Sequence, residues 1–159
     1  MIRLSKLSDY GIAMLTALVR HEGGQRSASE LAEATGVPAA MASKVLKQLC
    51  RAGLLESCRG AKGGYGLARP ASSVTVAEII EALDGPIALT ACIEAGSGEC
   101  VIETLCPARG NWQRINEAIR GALAGITLAD MAETVPEAFL LPGERHDAAT
   151  VIANLPEAG

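Results

Sequence analysis

A mainly α-helical chain with a single two-stranded β-hairpin is the fold this sequence predicts. Three observations lead there. Apolar residues recur at helical spacing in successive stretches between residues 7 and 124. Serine or threonine followed three residues later by glutamate opens two of those stretches. One glycine-rich run, RGAKGGYG, sits between two short segments of strand character. The chain has 159 residues, enough for one domain with appendages, and only one Trp, two Tyr and one Phe, so its core is expected to be aliphatic.

The first stretch, LSKLSDYGIAMLTALVRHEGG, sets Leu7, Gly11, Met14, Leu15 and Leu18 on one helical face and closes at Gly23-Gly24. In SASELAEATGVPAAMASKVLKQLCRAGLL, Ser27 and Glu30 form a capping box that satisfies backbone donors at a helix start. Gly36-Val37 marks a tight turn, and Ala32 is small enough for the helices to cross closely. Pro38 suits the first turn of the next helix, which is expected to bury Met41, Val45, Leu46 and Leu49 and to end at Gly53. Two helices joined in this way form a helix-turn-helix. The exposed face of the second carries Ala39, Ala40, Ser43, Lys44 and Lys47.

LLESCRGAKGGYGLARP then reads as strand, glycine-rich turn and strand, with Arg59 and Lys62 at or beside the tip and Pro70 ending the second strand. A hairpin in this place is the wing of a winged helix-turn-helix. TVAEIIEALDGP is a further helix, opened by Thr75 with Glu78 and stopped by Gly85-Pro86. From Pro107 a longer helix runs to about Ala124, with Trp112, Ile115, Ile119 and Leu123 as its apolar stripe. Its Gly121 and Ala122, and Gly125 beyond it, are small enough for a second helix to approach. Thr127 and Asp130 start one more short helical turn, and the end of the chain beyond Pro142 has no period and reads as a mobile tail. The expected organisation is 1–70 as the winged domain, 71–135 as a cysteine loop with the long helix, and 136–159 as the tail.

Charge divides the chain. Residues 1–70 carry ten Lys/Arg against five Asp/Glu, and residues 71–159 carry four against thirteen. The basic part suits a polyanion and the acidic part does not. Lys44 and Lys47 on one helix face, with Arg59 and Lys62 on the hairpin tip, occupy the two places where a winged helix-turn-helix meets DNA. The lysines would neutralise phosphates, Ala39, Ala40 and Ser43 would lie near base edges, and Arg59 suits the minor groove. No apolar run is long enough to span a bilayer and no cleavage site follows the first apolar stretch, so the chain is expected to be cytoplasmic and without a membrane partner.

Cys92, Cys100 and Cys106 are spaced C-x7-C-x5-C. Zinc fingers and ribbons pair their cysteines more closely, while longer gaps suit a cluster wider than one ion. The spacing admits metal or cluster ligation; the plainer alternative is three small residues filling a loop. Cys106 before Pro107 is read as the N-cap of the long helix, where the helix dipole favours a thiolate. Cys50 and Cys58 are read as packing residues. His21 and His146 lack partners in any catalytic order, so no enzyme is expected.

LSDYGIAML, the helix-turn-helix and RG-x-x-GGY-x-L-A-R hairpin, TVAEIIEALDGPI and the three-cysteine loop together resemble the Rrf2 family of bacterial regulators (IscR-, NsrR- and RirA-like), over roughly residues 1–135. CPARGNWQRIN and ITLADMA are most similar to the branch that regulates SUF-system iron–sulfur assembly. The resemblance implies a homodimeric repressor on a pseudo-palindromic double-stranded DNA operator. It implies an iron–sulfur cluster, 2Fe-2S or 4Fe-4S, on Cys92, Cys100 and Cys106, with the helix from Pro107 as dimerisation helix. Two departures stand out. The first cysteine gap is two residues longer than in many relatives, and Arg109 stands where some members place a ligating histidine; a guanidinium cannot ligate. Asp9 matches the position from which other members supply a carboxylate across the dimer. The alternatives are a zinc- or thiol-redox-responsive DNA-binding regulator, and a metal-carrying interaction subunit that does not bind DNA.

Overall fold

The computed structural model of the protein describes residues 3–21, 24–58, 63–90, 93 and 106–133. The described elements are α1 (Lys6–Val19), α2 (Ala28–Thr35), α3 (Ala39–Arg51), β1 (Leu55–Cys58), β2 (Gly64–Leu67), α4 (Val76–Asp84), α5 (Arg109–Ala124) and α6 (Leu128–Glu133), with one 3-10 turn at Ala71–Ser73. This is the mainly helical, single-hairpin architecture expected.

Four of the helix starts are fixed by local side-chain caps. Ser5 caps α1, its hydroxyl accepting from the Leu7 and Ser8 N–H groups. Ser27 with Glu30 and Thr75 with Glu78 form complete capping boxes on α2 and α4. Thr127 and Asp130 make the same reciprocal pair at α6. Gly36 takes φ +69° to end α2, a left-handed conformation that glycine adopts freely, and Val37 behind it is buried.

One aliphatic core collects Met14, Leu15 and Leu18 of α1, Leu31 of α2, Val45, Leu46 and Leu49 of α3, Ile79 and Leu83 of α4, and Leu128 of α6. Burying each large aliphatic side chain contributes about 1.5–3 kcal/mol relative to exposure. On α3 the buried face includes Ala42, and Met41 is only half-buried, so the inward stripe starts one residue later than expected. Helices α4 and α6 complete the core that α1–α3 begin. α1 crosses α4 at Gly11, where any Cβ would collide with the Leu83 Cδ1.

At the end of α3, Gly53 takes φ +72°, the Gly53 N–H donates to Cys50 and the Leu54 N–H returns to Leu49 (both 3.0 Å). This paired closure, with Leu54 buried beneath it, aims the chain directly into β1. β1 and β2 are antiparallel, with Leu55 opposite Leu67 and Cys58 opposite Gly64. No helix among the described residues is long and apolar enough to cross a membrane.

Candidate nucleic-acid interface and thiol segment

The sequence places α3 so that its inner face is fixed by Ala42, Val45, Leu46 and Leu49, and its outer face is therefore also fixed. Ala39, Ala40, Lys44 and Lys47 are exposed, while Ser43, expected on the same exposed face, is half-buried. No side chain caps α3, whose N-cap is Pro38, and no acidic residue stands in its first turn. The open N–H groups of that turn and the positive end of the helix dipole thus face the same side as small side chains that let a polyanion approach. The wing follows α3 directly through the Gly53 closure, β1 beginning at Leu55. Arg59 and Lys62, expected at its tip, lie outside the described residues.

The wing is braced from below. Gln25 donates from Nε2 to the Cys58 Sγ (3.1 Å), and Cys58 is exposed, which corrects the expectation that it is a packing residue. It sits at the sheet edge, where alternate side chains point away from the core. Cys50 is half-buried against the core, and burial pushes its thiol pKa up.

Of the three cysteines singled out as ligands, Cys106 is a free, half-buried thiol, and Cys92 and Cys100 lie outside the described residues. Cys106 is not an N-cap. α5 begins at Arg109 with Ala108 in the capping position and no side-chain cap, while the Arg109 N–H donates to the Cys106 carbonyl (3.3 Å). Pro107 and Ala108 form a turn that precedes the helix instead of its first residues. Asp9 lies in the first turn of α1 and is exposed. His21 lies beyond the end of α1, its N–H donating to the Leu18 carbonyl (3.2 Å).

The expected stripe on α5 is only partly covered. Trp112 and Ile115 are 40% and 44% exposed, Ile119 and Leu123 are half-buried, and Asn116 is the one buried residue of the helix. Among the described residues, nothing fully covers the Trp112 and Ile115 end of the apolar side of α5.

Residues 4–134 match the Rrf2 family, described as iron-dependent transcriptional regulator. The chain belongs to the Rrf2 family. It is 31% identical over 142 residues to protein aau3 of Rhizobium meliloti (strain 1021), covering 89% of this chain and 92% of that one. It is 30% identical over 146 residues to the HTH-type transcriptional regulator IscR of Escherichia coli, covering 91% and 88%. Among solved structures it resembles CymR, the global cysteine regulator of B. subtilis, with TM-score 0.68, 30% identity, and 86% and 100% of the two chains covered. As an Rrf2 protein it is a DNA-binding transcriptional regulator and not an enzyme.

Three contacts of this Rrf2 chain are not legible as functional in its sequence. Arg69 of the LARP run donates from Nη2 to Glu78 (2.6 Å) and from Nη1 to the Ser73 carbonyl (2.7 Å), tying the wing's exit to α4. The Glu78 carboxyl is held below its usual range first by the Thr75 N–H and next by Arg69. Arg120 grips Glu81 with Nε and Nη2 (2.6 and 3.2 Å), tying α5 to α4. Asn116 Oδ1 accepts the Leu89 N–H (3.1 Å) and its Nδ2 donates to the Ile87 carbonyl (2.8 Å). The available signal for Asn116 is a polar residue in line with Trp112, Ile119 and Leu123 on an otherwise apolar stripe.

Proposed function

We propose that this Rrf2 protein is a cytoplasmic homodimeric repressor of iron–sulfur cluster assembly genes. In this reading Cys92, Cys100 and Cys106 hold an iron–sulfur cluster, with Asp9 of the partner subunit as its fourth ligand. The donor set fits such a group: three thiols on one segment, of which Cys106 is free and half-buried at the foot of α5. A carboxylate is a hard ligand among thiolates, so its bond is comparatively exchangeable, as a sensor requires. When bound, the cluster supplies iron–thiolate bonds that respond to iron supply and oxidation.

Residues 1–70 serve as the DNA reader, residues 71–135 as sensor and dimer contact, and residues 136–159 as a tail. Lys44, Lys47 and Lys62 neutralise phosphates, Ala39, Ala40 and Ser43 face base edges, and Arg59 enters the minor groove of a pseudo-palindromic operator. The apolar side of α5 packs on the same helix of a second copy, setting the separation of the two winged domains. The observation that carries the reading is that Cys106 leads within three residues into this partly uncovered helix, so a ligand on the thiol bears on the dimer contact.

Anaerobic purification with iron and sulfide quantification and visible spectroscopy tests the cofactor. Coloured protein with iron and sulfide is expected, and colourless zinc-containing protein overturns it. Cys92→Ala is expected to lose both colour and tight operator binding. If Cys92→Ala binds the operator as tightly as loaded protein, sensing through the cysteines is wrong. A second reading, thiol-redox control without a cluster, draws on the likeness to the cysteine regulator CymR. It predicts operator affinity that follows thiol oxidation in iron-free protein.

A further inference from the structure

We propose that Asn116 is the positioning residue through which α5 holds the segment leading into the cysteines and senses its arrangement; only the coupling to DNA rests on the cluster reading above. Asn116 is 7% exposed on a helix whose other described residues are at least partly open. Its single carboxamide satisfies the carbonyl of Ile87 and the N–H of Leu89, the two-point pairing a neighbouring strand would otherwise provide. The backbone needs this service, because after Gly85 the half-buried residues 87–89 belong to no helix or strand. An unmet backbone group in such a place costs free energy comparable to a lost hydrogen bond.

The segment pinned by Asn116 stops just short of Cys92, and Cys106 stands three residues before the first residue of α5. One helix therefore holds both borders of the thiol segment. Trp112 and Ile115 are exposed while Ile119 and Leu123 are half-buried, so α5 buries its apolar stripe only in part among the described residues. Its seating on the winged body includes polar contacts, Asn116 at one point and the Arg120–Glu81 pair at another. A rearrangement of the thiol segment that displaces Ile87 or Leu89 acts on α5 through Asn116. The carboxamide serves both backbone groups at once, its oxygen accepting and its nitrogen donating. Aspartate keeps the acceptor for Leu89 but has no donor for Ile87, and alanine has neither.

Two measurements on the full chain test this. In iron-free protein, the Leu89 amide is expected to exchange about tenfold faster in Asn116→Ala than in wild type, with α1–α4 amides unchanged. Operator affinity is then compared between iron–sulfur-reconstituted and iron-free protein. The wild-type ratio is expected to be about tenfold and to fall toward one in Asn116→Ala and Asn116→Asp, at unchanged iron and sulfide content. If Asn116→Ala fails to fold, Asn116→Asp carries the affinity comparison. An undiminished ratio in the variants overturns the coupling role of Asn116. A wild-type ratio of one overturns the cluster reading instead, and Leu89 exchange then decides the Asn116 contact alone, unchanged exchange being the result that sinks it.

Discussion

Arg26 and Tyr65 exchange both backbone hydrogen bonds, Arg26 N–H to Tyr65 carbonyl at 3.1 Å and the reverse at 2.7 Å. The pair forms a single antiparallel bridge that lays Arg26 against β2 at the wing's base. Gly64 is what permits it: a Cβ there would lie 2.6 Å from the Arg26 carbonyl carbon and oxygen. Backbone cannot yield as a flexible side chain can, so Gly64→Ala is expected to cost about 1–3 kcal/mol in overpacking. It should also weaken operator binding by displacing the wing. Denaturant midpoints and fluorescence anisotropy on the same variant check both, and an alanine protein of unchanged stability would show that Arg26 is not held there.

Much of this fold is legible because local chemistry and global packing agree at the same residues. Ser27, Thr75 and Thr127 announce helix starts through acidic partners three residues on, and each pair forms. The α3 exposed face follows from its apolar stripe alone. The glycines of GGYG read as a turn, yet Gly64 and Gly66 lie in β2. Their reason is a close approach by residues 24–26, which no local pattern encodes. Cys106 reads as a cap because proline follows it, but the chain makes a turn before the helix begins. Asn116 stands out in sequence only as a polar break in an apolar stripe; its partners are backbone groups far away in sequence, which have no sequence signature.

Lys44 and Lys47 are exposed on the outer face of α3, so replacing either should leave the fold intact, within about 0.5 kcal/mol. Removing one phosphate-neutralising charge should reduce the slope of log K against log salt by about 0.9. Lys47→Ala is therefore expected to weaken operator and random duplex alike and to flatten the salt dependence by about one unit. Titrations across salt concentrations measure this, and an unchanged slope would remove Lys47 from the interface.

The capping carboxylates make stability depend on pH in one direction. Glu30 is held below its ordinary value of 4.5 first by the Ser27 hydroxyl, Glu78 below 4.5 first by the Thr75 N–H, and Asp130 below 3.8 first by the Thr127 N–H. Unfolded chains therefore bind protons at higher pH than folded ones, and stability falls as pH falls across that interval. The contribution of each group is complete above its unfolded value and is lost as pH drops through its lower folded value. Melting temperature should be flat from neutrality to about pH 5 and then decline. Glu78→Gln should lower the neutral plateau and make the acid decline shallower.

Ile115 is 44% exposed beside Trp112, on a helix that buries only Asn116 within its own chain. A charge at this position should cost the monomer little, since water already reaches it. In a dimer packed through α5 the same carboxylate would be desolvated without a partner, a penalty of several kcal/mol. Ile115→Glu is expected to run as a monomer in analytical ultracentrifugation at micromolar concentration, with an unchanged far-ultraviolet circular dichroism spectrum. Its operator affinity should fall at least about tenfold, because two half-sites are no longer bound as one linked unit. Gly121→Ala separates this from general damage to α5. Among the described residues, nothing beyond the adjoining backbone of α5 lies within 4 Å of a Cβ built at Gly121, so the substitution should raise monomer helix stability by about 0.5–1 kcal/mol, while crowding any close helix–helix crossing at that point. If Ile115→Glu sediments as a dimer with wild-type operator affinity, α5 is not the face through which two copies meet.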